Sequence, residues 1–120
     1  MSNIETLTQH TITDALRQEG ILVIDFWAPW CGPCRTMAPQ FERAAQLRPR
    51  YRFAKVNVDE QPTVATAFQI RSIPTVVVIH DGEIIGAYPG VVDAEQLAGA
   101  LDQLVPTPEP ETVLQEESIR

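Results

Sequence analysis

Two cysteines, Cys31 and Cys34, are the only ones in the chain, and they stand two residues apart at the end of an apolar run. The run is Ile21-Leu22-Val23-Ile24-Asp25-Phe26-Trp27-Ala28, which reads as a buried strand. Behind Cys34, the spacing of Met37, Phe41, Ala44, Ala45 and Leu47 predicts a helix over Arg35–Leu47. The pair therefore falls where a strand hands over to a helix. A helix N-terminus carries partial positive charge and unpaired N–H groups, and both favour a thiolate over a thiol. The thiolate is the nucleophilic form of cysteine.

The spacing adds a second constraint. Positions i and i+3 at a helix start share a face, with Cβ atoms about 5–6 Å apart. A disulfide needs roughly 3.5–4.5 Å, so a small adjustment lets the pair open and close without refolding. Cys31 precedes the first full turn and is expected to expose its sulfur, whereas Cys34 is expected to be covered. This asymmetry makes Cys31 the attacking sulfur and Cys34 the resolving one. Pro33 suits the first helical turn, where a missing N–H costs little. Gly32 leaves the approach to the sulfurs open.

Other uses of a cysteine pair are weaker. A structural staple three residues long removes little unfolded-state entropy. Zinc usually takes four ligands, and only His10 and His80 remain as natural candidates, without ligand spacing to the cysteines. No bound metal is expected, although a metal held across a dimer stays as an alternative.

The residues around the pair carry a family likeness. Asp25-Phe26-Trp27-Ala28-Pro29-Trp30-Cys31-Gly32-Pro33-Cys34-Arg35 resembles the active-site stretch of the thioredoxins. A second landmark, Ile73-Pro74-Thr75, agrees. The likeness runs from about Ile4 to Leu104. It implies an α/β thioredoxin fold, with a mixed central sheet of about five strands flanked by about four helices. It implies a protein-disulfide reductase working through a Cys31/Cys34 dithiol–disulfide cycle.

Residue roles follow from the likeness position by position. Asp25 corresponds to an acid/base carboxyl that serves Cys34, in keeping with the cost of a carboxylate inside an apolar strand. Lys55, the only lysine in the chain, takes the place of an ammonium close to that carboxyl. Pro74 is expected to be cis and to lie against the cysteines, presenting the backbone of Ile73 to an extended client. Gly90 lets the client backbone come close, and Gly32 and Pro33 belong to the same surface. Trp30 is the flat apolar contact beside Cys31, and Trp27 the ring beneath the motif. Arg35 replaces the lysine common after the second cysteine. Pro89 and Val91 depart from the usual residues around Gly90.

The remaining expectations concern context. The partners implied are a thioredoxin reductase and disulfide-containing client proteins, with NADPH acting only behind the reductase and no cofactor bound to the chain itself. A monomer is expected. A formal charge of −7 argues against nucleic acid, which needs a basic face. Arg43, Arg48, Arg50 and Arg52 do cluster, as a solvated helix end or a docking patch. No stretch approaches the roughly 20 apolar residues that span a bilayer, and no secretory pattern opens the chain. A cytoplasmic location is therefore expected.

Along the chain, helices are predicted over Thr8–Gln18, Asp59–Phe68 and beyond an Asp93/Gln96 capping box. Strands are predicted over Ile4–Leu7, Tyr51–Val58, Thr75–His80 and Glu83–Tyr88, the last two joined by an Asp81-Gly82 hairpin. Residues 1–104 read as one domain. Residues 105–120, with Pro106, Pro108 and Pro110 followed by an acidic segment, read as an extension outside it. That extension motivates the second reading, a thioredoxin-fold chaperone or client-binding module.

Overall fold

A computed structural model describes residues 3–104. Five strands form one sheet: β1 (Glu5–Thr6), β2 (Ile21–Trp27), β3 (Arg52–Asn57), β4 (Thr75–His80) and β5 (Glu83–Pro89). Their order across the sheet is β1-β3-β2-β4-β5. β3 runs parallel to β1 and β2, and β4 runs antiparallel to β2 and β5. The helices are α1 (Ile12–Arg17), α2 (Gly32–Leu47), α3 (Pro62–Ala67) and α4 (Ala94–Leu104). The strand-helix-strand crossovers require the parallel pairs, and the hairpin supplies the antiparallel one.

Alternation along β2 explains why the strand is apolar on both sides. Ile21 and Val23 join Met37, Phe41 and Ala44 of α2 and Leu97 and Leu101 of α4 in one core. Leu22, Ile24 and Phe26 join Ala15 of α1 and Val64 of α3 in the other. A strand covered on both faces must be apolar at every position. Asp25 is the exception, and it lies on the α2 face.

Three helix starts differ from the spans expected from sequence, and the strand ends differ by at most a residue. α1 begins at Ile12 rather than Thr8. The Thr8 hydroxyl accepts the His10 N–H at 3.1 Å and the Thr11 hydroxyl accepts the Thr8 N–H at 2.9 Å. These side chains close a separate turn that competes with helix. α3 begins at Pro62 because Asn57 Oδ1 accepts the N–H groups of Asp59 and Glu60, holding them in a turn. α2 starts at Gly32, ahead of the Arg35–Leu47 span marked by its apolar spacing, with Cys31 as its N-cap and Pro33 in the first turn as expected.

The arginines at the end of α2 are largely engaged by α4. Arg43 pairs with Glu95 and Arg48 with Asp102. The Asp93/Gln96 capping box forms in both directions, at 2.8 and 3.3 Å. Gln40 adds a third anchor by accepting the Ala94 N–H at 2.8 Å. These contacts hold the middle and C-terminal end of α2 against α4 on one face of the sheet. Residues 105–120 lie outside the described residues.

Candidate active site

Cys31 and Cys34 form a disulfide, with Cα atoms 5.2 Å apart. The Sγ of Cys31 accepts the backbone N–H of Cys34 at 3.2 Å, so the sulfur itself is the capping group of α2. Capping by a side-chain acceptor normally falls to Ser, Thr, Asp or Asn. A sulfur in that role gains from becoming a thiolate, because the charged acceptor binds the N–H more strongly.

Exposure does not separate the two sulfurs here, contrary to the sequence expectation for Cys31. Cys31 is 4% exposed and Cys34 3%. In the disulfide both cysteines pack with Ala28, Val58 and Ile73, which cover them. The carbonyl oxygen of Ile73 stands 3.8 Å from Cys31 Sγ.

The Ile73–Pro74 peptide bond is cis. Thr75 Oγ1 donates to the Ser72 carbonyl at 2.7 Å, which pins the chain just before it enters β4. The Gly90 N–H donates to the Pro74 carbonyl at 2.9 Å, and Gly90 has φ of 91°. Thus Ile73 and Pro74 meet Gly90 beside the disulfide. Gly32 has open space where a side chain would stand. Trp30 is 65% exposed, a large apolar ring facing solvent. Its Nε1 donates to Asp59 Oδ2 at 2.8 Å, which fixes the ring. A cleft of about 310 Å³ runs from Trp30 past Val58, Ile70 and Arg71 to Ile73.

Behind the cysteines lies a second cavity of about 320 Å³, lined by Asp25, Trp27, Cys34, Arg35 and Lys55 among others. Asp25 pairs in register with Lys55 across β2 and β3. Burial pushes the Asp25 carboxyl from its ordinary 3.8 up to about 7, and the nearby Lys55 charge offsets part of that rise. Its Oδ1 is buried without a hydrogen-bond partner. Lys55 Nζ sits over the Trp27 ring, 5.4 Å from its centroid. Arg35 Nη2 donates to the Pro29 carbonyl at 3.1 Å, holding the loop that carries Trp30 and Cys31.

Trp30, Gly32, Pro33, Ile73, Pro74 and Gly90 thus lie around the Cys31–Cys34 disulfide, with Asp25, Trp27 and Lys55 behind it, whereas His80 stands at the hairpin end of β4 and Arg43 and Arg48 are turned to α4. Sequence reasoning missed Asp59, Val58 and Arg71. Nothing local marks them, since their position comes from the loops after β3 and α3 being brought beside Trp30. Among the described residues no cluster of metal-binding side chains occurs, and no helix is long and apolar enough to cross a membrane.

Comparison with known proteins agrees with this geometry. The sequence model of the family described as Thioredoxin matches residues 3–103. The chain is 41% identical to Thioredoxin 1 of Synechococcus elongatus over 99 residues, which is 77% of this chain and 92% of that protein. It is 41% identical to a thioredoxin of Staphylococcus haemolyticus over 72% of this chain and 84% of that one. The solved structure of a Malassezia sympodialis thioredoxin superposes with a TM-score of 0.78 at 32% identity, covering 86% and 91% of the two chains. With a disulfide-forming pair at the head of α2 and these relatives, the chain belongs to the thioredoxin family and is a protein-disulfide oxidoreductase.

Proposed function

We propose that Cys31 is the attacking sulfur and Cys34 the resolving one. In the reduced protein the Cys31 thiolate attacks a client disulfide, forming a mixed disulfide and releasing one client thiolate. The Cys34 thiolate then attacks Cys31, forming the Cys31–Cys34 disulfide and releasing the second client thiolate. Two electrons pass to the client and the protein ends oxidised. The observation that supports this order is the hydrogen bond from the Cys34 N–H to Cys31 Sγ, a donor that would stabilise a thiolate at Cys31.

Asp25 takes the proton from Cys34 before the second step, through the cavity that both line. Lys55 keeps that carboxyl from rising out of the neutral range. Trp30, Gly32, Pro33, Ile73, Pro74 and Gly90 hold the client chain against the sulfurs. A thioredoxin reductase, drawing on NADPH, returns the disulfide to the dithiol, so the chain carries electrons in the redox homeostasis of the cytoplasm as a monomer. Residues 105–120 form an extension outside the thioredoxin domain. No observation favours the chaperone reading over this one. The test is a disulfide-reduction assay driven by dithiothreitol: turnover is expected from the parent and none from Cys31→Ser.

A further inference from the structure

We propose that Trp27 is a positioning residue, whose indole face holds the Lys55 ammonium beside the cavity shared by Asp25 and Cys34 and thereby sets the pH at which Asp25 exchanges its proton. The inference rests on the role given to Asp25 above. It starts from a pairing that does not form. Asp25 and Lys55 are register partners on adjacent parallel strands, the arrangement in which a carboxylate and an ammonium would close into an ion pair. The ion pairs among the described residues all lie elsewhere, and Asp25 Oδ1 has no partner at all.

Lys55 spends its charge on an aromatic face instead. Its Nζ stands 5.4 Å from the centre of the Trp27 ring, inside the roughly 6 Å range over which a ring quadrupole attracts a cation. Trp27 follows Asp25 by two residues on the same face of β2, so ring and carboxyl line one cavity. A lysine side chain has a long flexible stem and would otherwise sample many positions. The ring restricts it to one: near enough to act on Asp25 through space, too far to seize it.

That intermediate position has a chemical consequence. An ammonium in direct contact would keep Asp25 ionised and poor at holding a proton. An ammonium released to solvent would leave desolvation unopposed and Asp25 protonated. The other groups that face Asp25 do not adjust in this way. On α2 these are Arg35, whose guanidinium is tied to the Pro29 carbonyl, and the sulfur of Cys34. On β4 the register partner is Val76, which carries no charge.

The test reads Asp25 directly and needs no turnover. The carboxyl carbon of Asp25 is titrated by ¹³C NMR in the oxidised protein, for the parent, Trp27→Leu, Lys55→Gln and the double variant. Removing the ring also admits water, which acts in both lysine backgrounds, so the informative quantity is the difference between them. The Trp27→Leu shift with Lys55 present is expected to lie about half a pH unit above the same shift with Lys55→Gln, roughly a threefold change in proton affinity. Equal shifts in the two backgrounds overturn the proposal. Should Trp27→Leu not fold, fluorinated tryptophan in Trp30→Phe protein depletes the ring's π face at nearly constant volume. An upward shift that vanishes with Lys55→Gln is expected there, and an unchanged midpoint overturns the proposal as well. If Asp25 titrates as expected while Asp25→Asn retains full reductase turnover, the failure belongs to the catalytic role of Asp25 and not to the positioning of Lys55.

Discussion

The backbone N–H of Cys34 points at the sulfur of Cys31, 3.2 Å away, across the first turn of α2. One residue thus provides both the bond partner of the disulfide and a donor to the other sulfur. In the reduced protein this donor and the N-terminal end of a 16-residue helix act together on Cys31. The Cys31 thiol is expected to titrate well below the roughly 8.5 of a free cysteine. Iodoacetamide alkylation followed over pH checks it, and a midpoint at or above the free value contradicts the assignment. Cys34→Ser is expected to accumulate a stable mixed disulfide with client, detectable by mass.

Asp25 links the site to stability. Its carboxyl sits at about 7 in the folded protein against 3.8 ordinarily, raised by burial and partly offset by Lys55. Folding therefore binds a proton between these two values. Stability is full below about pH 4, falls as pH rises towards 7, and levels above it. Roughly three pH units correspond to about 4 kcal/mol. Asp25→Asn abolishes this dependence. Urea unfolding of the oxidised protein is expected to show the variant gaining on the parent by a few kcal/mol between pH 4 and 8. A constant difference across that range would contradict a buried, proton-binding Asp25.

The same carboxyl has an opposite effect on rate. As a base towards Cys34 it must be ionised, so release of client from the mixed disulfide should accelerate through pH 7 and then flatten. Asp25→Asn removes general-base assistance, whose usual contribution is about 10²–10⁴-fold. Single-turnover release at pH 7 is expected to slow by about 10²-fold while the first attack by Cys31 is unchanged. Loss confined to the first step would sink the assignment. The stabilised variant is thus also the slower one.

Much of this was legible in the chain before any coordinates. The run Ile21–Trp27 and the cysteines behind it dictated β2, α2 and their junction, because a doubly covered strand leaves a continuous apolar signature. Asp81-Gly82 forecast the hairpin, and φ of 51° and 87° at these residues bears it out. What escaped depended on distant partners or on competing short-range bonds. The threonine turn before α1 and the Asn57 turn before α3 replaced helix with side-chain hydrogen bonds that periodicity does not register. The burial of Cys31 could not be read from its position ahead of the helix, since the cover comes from Val58 and Ile73, far along the chain. Asp59 beneath Trp30 and the perch of Lys55 on Trp27 are likewise products of tertiary packing.

Two glycines in the β4–β5 hairpin give a last, discriminating prediction. A methyl group on Gly86 would meet Leu104 Cδ1 at 2.7 Å, whereas one on Gly82 would meet the backbone carbonyl of Leu16 at 3.0 Å. Distance alone ranks Gly86→Ala as the worse change. Compliance reverses the order. Leu104 presents the tip of a flexible side chain that can rotate away, but the Leu16 carbonyl belongs to α1 and cannot. Gly82 also holds φ of 87°, where a side chain costs about 1–2 kcal/mol. Gly82→Ala is therefore expected to lose about 2 kcal/mol, lowering Tm by roughly 8–16 °C in a domain of this size, and Gly86→Ala less than half of that. Disulfide reduction should be unaffected in both, because Gly82 lies beyond the far end of β4 from Pro74 and Gly86 stands opposite Val78, about 13 Å of strand from Pro74. Thermal melts of the two variants beside the parent decide it, and a larger loss in Gly86→Ala would show that Leu104 is clamped rather than free to turn.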